Sequence, residues 1–122
     1  MVASSKVSIA ARAAEDKKAA DVKILDLRDL TLVADYFVIC SGRTSIQVQS
    51  VAQGVMDSMS EKGYSPRHIE GLRLARWVLL DYGDIVVHVF QQDDREYYGL
   101  ERLWGDAPTI ELERVEGTVT SK

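Results

Sequence analysis

The stretch Arg76–Phe90, RWVLLDYGDIVVHVF, constrains this chain more than any other. Two runs rich in β-branched and aromatic residues flank Gly83-Asp84, which is the pattern of a β-hairpin with a very short loop. Glycine supplies the positive φ such a loop needs, and aspartate tolerates it better than most residues. With Gly83 and Asp84 at the tip, Tyr82 faces Ile85, Leu80 faces Val87 and Val78 faces Val89. The alternate set pairs Asp81 with Val86, Leu79 with His88 and Trp77 with Phe90. Side chains alternate across a strand, so the two sets lie on opposite faces. The first set is aliphatic apart from Tyr82 and suits a core. The second mixes large apolar side chains with an acid and an imidazole, which suits either a partner-binding face or a face that helices cover.

The other elements follow from periodicity. Lys6–Ala20 reads as a helix with Val7, Ala10, Ala11 and Ala14 on one stripe. Asp21–Arg28 reads as a strand, and Asp29–Val33 as a connection. Asp35–Ser41 reads as a central strand buried on both faces. Thr44 and Gln47 have the spacing of a capping box ahead of a helix that carries Val48, Val51, Ala52, Val55, Met56 and Met59, with Gly63 as its cap. Tyr64–Glu70 reads as a short strand. Gln91–Trp104 reads as a last helix, capped near Asp93 and Glu96 and ended by Gly105 and Pro108. Thr109–Arg114 reads as an edge strand or a laid-down tail. The expected fold is α/β (α+β), a mixed sheet of about five strands flanked by helices. One domain over 1–114 and a disordered tail over 115–122 are expected.

Function classes narrow quickly. The 122 residues carry 15 basic and 19 acidic side chains, a net charge of −4. Proteins that grip a nucleic-acid backbone are usually basic, so direct DNA binding is not expected, whereas a basic protein is a fitting partner. The lone cysteine, Cys40, permits no internal disulfide and suits a cytoplasmic setting. It reads as a small buried hydrophobe. No apolar run suffices to span a bilayer. The Ser41-Gly42 turn lacks both the GxGxxG and the GxxxxGK[ST] pattern. His68 and Glu70 share a face but lack a third metal ligand. Asp81 and Asp84 do not converge, and no Ser–His–Asp arrangement is evident. The sequence thus points to no catalytic residue, no metal and no cofactor.

Three segments, Ala34–Gly42 (ADYFVICSG), Trp77–Phe90 (WVLLDYGDIVVHVF) and Arg95–Trp104 (REYYGLERLW), with Glu70-Gly71 before the tryptophan strand, resemble the ribosomal silencing factors, the RsfS or Iojap family. The resemblance runs from about residue 6 to 112. One departure is Ile46, where many members carry arginine. The resemblance implies a nucleotidyltransferase-like core without the catalytic signature. It also implies binding to the large ribosomal subunit through a basic ribosomal protein on the face that meets the small subunit. Occupying that face would block subunit joining when nutrients are scarce. The contact set expected on this chain is Trp77, Leu79, Asp81, His88 and Phe90, with Tyr98 and Trp104 assigned to packing. Two alternatives are a vestigial or active nucleotidyltransferase and a self-association module that forms a homodimer.

Overall fold

The computed structural model describes residues 2–99, 105 and 107–110, without the side chains of residues 2–5 and 96–98. In chain order the elements are α1 (Val2–Asp16), β1 (Ala20–Asp26), β2 (Tyr36–Gly42), α2 (Ser45–Glu61), β3 (His68–Glu70), β4 (Trp77–Asp81), β5 (Ile85–Gln91), α3 (Gln92–Tyr98) and β6 (Thr109–Ile110). The strands form one six-stranded sheet in the order β3-β4-β5-β2-β1-β6. The central β2–β5 pair is parallel and the others are antiparallel. The sixth strand is the two-residue β6, which pairs with β1 where an edge strand or a laid-down tail was expected.

The hairpin register is the one read from the sequence: Trp77 faces Phe90, Val78 faces Val89, Leu79 faces His88, Leu80 faces Val87 and Asp81 faces Val86. Tyr82 N–H donates to Ile85 O across the loop, and Gly83 adopts a φ of 91°.

Helices α1 and α2 cover one face of the sheet. Val7, Ala10, Ala11 and Ala14 of α1 and Val48, Val51, Ala52, Val55 and Met59 of α2 pack on Val38, Val78, Leu80, Val87 and Val89. Small alanines let α1 lie close to its neighbours. The Thr44 hydroxyl accepts from Gln47 N–H, while Gln47 Oε1 accepts from Arg43 N–H, one residue before the position a strict capping box uses. At the other end Gly63 N–H donates to Ser60 O and Tyr64 N–H to Met59 O, which closes α2 with a Schellman motif. Ile46 is exposed on this helix, so the departure from the family pattern falls on the surface.

Three expectations need correction. The strand expected over Tyr64–Glu70 is formed only by His68–Glu70. Helix α1 runs from Val2 to Asp16 rather than Lys6 to Ala20. The last helix is described only to Tyr98, with Gly99 in the left-handed conformation behind it, and its N-cap, Gln91, makes no side-chain cap bond. Asp93 is exposed, and its neighbour Asp94 instead reaches across to Arg76. The expected continuation to Trp104, the packing of Tyr98 and Trp104, and the tail over 115–122 lie outside the described residues and side chains. Among the described residues no helix is long and apolar enough to cross a membrane.

Candidate functional site

The face opposite α1 and α2 carries the second hairpin set. Its cross-strand rows are Glu70–Leu79–His88–Ile39, His68–Asp81–Val86–Phe37–Leu25 and Trp77–Phe90–Ser41. Leu25, Leu27, Ala34, Phe37, Ile39, Val86, Phe90 and Ala107 form a smaller apolar cluster here, with Trp77 and Leu79 packed at its margin. The β5 half of the face is therefore closed, and the β4 half is not. Phe90 is 0% and His88 3% exposed, whereas Trp77, Leu79 and Asp81 remain half-buried. The hairpin pattern alone cannot reveal this split, because it arises from β2, a distant segment whose Phe37 ring meets His88 edge-on at 4.5 Å.

Trp77 is held from several sides. Its ring stacks on Phe90 at 5.0 Å between centroids. Its indole Nε1–H donates to His88 Nδ1 at 3.1 Å. That bond places the imidazole proton on Nε2, which has no hydrogen-bond partner among the described residues. Burial holds the His88 pKa down at about 4, so the ring is neutral and remains an acceptor for the indole. The preceding residue, Arg76, makes a two-pronged pair with Asp94 at 3.0 and 2.9 Å, which lowers the Asp94 pKa. Arg76 O accepts from Gln91 N–H.

Gly71 completes the support. It adopts a φ of 79°, and a Cβ there would lie 2.1 Å from Trp77 O. Gly71→Ala should therefore cost about 2 kcal/mol or more, from left-handed strain and the displaced strand start, as urea unfolding would measure.

Asp81 is less free than its expected role suggests. Its Oδ1 accepts from Gly83 N–H at 2.8 Å and lies 3.4 Å from Arg67 Nε. The carboxylate thus closes the turn as well as lining the face. At the tip, Asp84 pairs with Lys6 of α1 at 2.5 Å.

The residues considered for chemistry stay apart. Ser41 is buried and its hydroxyl accepts from Arg95 Nη1 at 2.8 Å, while a Cβ on Gly42 would press against Val48. The Ser41-Gly42 turn is therefore filled by the protein's own side chains. Arg95 is a buried cation that fastens α3 to β2, a role the sequence leaves unmarked because its partner Ser41 lies 54 positions away. Cys40 is fully buried, and desolvation pushes its thiol up to about 12. His68 and Glu70 form an exposed pair at 2.5 Å. Among the described residues no group of three or more His, Cys, Asp or Glu is placed to hold a metal. A pocket of about 460 Å³ lined by Gln49, Gln53, Leu72 and Arg73 gathers no converging acids or nucleophiles.

Comparison with known proteins supplies the remaining information. A family model described as "Ribosomal silencing factor during starvation" matches residues 2–122. The ribosomal silencing factor RsfS of Bacillus subtilis is 50% identical over 107 residues, 88% of this chain and 91% of that protein. The chloroplastic protein Iojap of Zea mays is 34% identical over 84% of this chain and 44% of its own length. A crystal structure from Bacillus halodurans superposes with a TM-score of 0.75 at 45% identity, covering 84% of this chain and 93% of that one. Another, from Chromobacterium violaceum, gives 0.81 at 36% identity, covering 83% and 84%. Matched by the family model over residues 2–122 and by solved structures over more than four-fifths of its length, the chain belongs to the family of ribosomal silencing factors.

Proposed function

We propose that the protein is a translational repressor that binds the large ribosomal subunit through a basic ribosomal protein on the intersubunit face. Seated there, it excludes the small subunit by occupying its place, notably when nutrients are limiting. The work is steric, takes place in the cytoplasm, and needs neither a cofactor nor a catalytic residue. The observation that carries this reading, beyond family membership, is the half-open hairpin edge. Trp77 and Leu79 present apolar area, and Asp81 offers a carboxylate toward lysine or arginine. His88 and Phe90, expected as contacts, are buried and act only from beneath, by fixing the indole. Holding an aromatic anchor in place before binding removes an ordering cost that would otherwise weaken the complex. The net charge of −4 suits a basic partner.

Trp77→Glu tests the proposal. Co-sedimentation with purified bacterial large subunits should weaken by about 100-fold or more, as for loss of an interface anchor. Circular dichroism should show the fold retained. Undiminished co-sedimentation would remove Trp77 from the interface, and a lost fold would assign it to the core.

A further inference from the structure

A second apolar surface lies on the connection between β1 and β2. Leu30, Leu32 and Val33 are 44%, 103% and 70% exposed. Single exposed aliphatic residues are ordinary, whereas three within four positions put apolar side chains side by side in water. The connection is also well ordered by its own hydrogen bonds. Leu27 N–H donates to Asp35 O at 2.9 Å and closes its neck. Leu30 and Thr31 N–H groups donate to Leu27 O at 3.0 and 3.1 Å, and Val33 N–H donates to Thr31 Oγ1 at 3.1 Å. Asp35 N–H donates to Asp84 O at 2.7 Å, which ties the loop to the hairpin tip. The aliphatic tip is thus held out in water by a built turn.

The loop is continuous with the hairpin face. Its roots, Leu27 and Ala34, are buried in the same cluster as Phe37 and Phe90, on which Trp77 and Leu79 pack. Its charge is net acidic as well. The half-exposed Arg28 guanidinium is paired with Asp26 at 2.9 and 2.7 Å, and Asp29 and Asp35 flank the aliphatic tip. An apolar tip with an acidic rim fits an apolar recess bordered by lysine or arginine.

We infer that the Leu30–Val33 loop is a second docking point for the same basic ribosomal protein that the hairpin edge binds. This rests on the function proposed above and adds a separate contact to it. The loop fills the recess, Asp29 and Asp35 meet the basic rim, and the partner bridges both ends of one apolar layer. Two contacts on one rigid body fix the orientation of the bound protein more firmly than the hairpin edge alone.

The test uses the full chain and purified bacterial large subunits. The double variant Leu32→Ser/Val33→Ser should bind about tenfold more weakly, as expected for losing two apolar contacts. Its thermal midpoint should be unchanged, since both side chains already stand in water. Asp29→Lys should also weaken binding, and its deficit should shrink as salt rises. If the double variant binds within about twofold of the parent while Trp77→Glu does not bind, the loop contact is refuted and the repressor reading stands. If the parent does not co-sediment with large subunits, both fail. If the double variant keeps subunit binding but loses a dimer seen by light scattering, the loop serves a second copy of the chain and the inference is overturned.

Discussion

Phe90→Ala should destabilise the protein by about 3–5 kcal/mol, the range for truncating a fully buried phenylalanine. Phe90 is 0% exposed, stacks under Trp77 and belongs to the cluster formed with Phe37, Ile39 and Val86. Removing the ring leaves a cavity in the middle of the sheet, because β5 is held between β4 and β2 and cannot collapse into it. The same cavity lies beneath the indole, so subunit binding should fall with stability. Urea unfolding alongside co-sedimentation separates the two effects. A stability loss below about 1 kcal/mol accompanied by strong loss of binding would make Phe90 a direct contact and not a support.

The second large effect concerns acid. His88 stays neutral in the folded protein down to about pH 4, whereas an unfolded chain protonates it near 6.5. Between those values the unfolded state binds more protons. The stability that His88 contributes is therefore complete above about pH 6.5 and falls as the pH drops toward 4. It then levels off, with a total loss of about 3 kcal/mol. Asp26 and Asp94 have carboxyl pKa values held low by bonds to Arg28 and Arg76. Their contributions are present above the ordinary carboxylate range and disappear at more acid pH, so they do not imitate the His88 window. His88→Leu should flatten the decline between pH 7 and 4.5 in urea unfolding. An identical decline in parent and variant would refute the assignment of a buried neutral imidazole.

The hairpin was legible because its information is local. Gly83 supplies the positive φ, and one choice of tip residues determines every cross-strand pair that follows. The α1 and α2 stripes were legible for the same reason, as was the burial of Cys40. The closure of half the binding face was not. Whether His88 and Phe90 see solvent depends on β2, which no pattern within Arg76–Phe90 can report. The Arg95–Ser41 and Arg76–Asp94 bonds were hidden similarly, since each joins segments whose proximity only the fold creates. The Leu30–Val33 loop read as a plain connection because exposed aliphatics leave no periodic trace outside helices and strands.

The parallel pairing at the middle of the sheet also bears on how the chain acquires its shape. β2 finds a neighbour on one side early, in β1, but its other neighbour begins only at Ile85, opposite Tyr36. During synthesis the N-terminal half therefore emerges with a strand that is buried along its whole length in the folded protein still lacking one flank. The β4–β5 ribbon is local in sequence, and its β5 strand supplies that flank. A nascent chain stalled before Ile85 would leave this edge of β2 unpaired and prone to sticking to other chains.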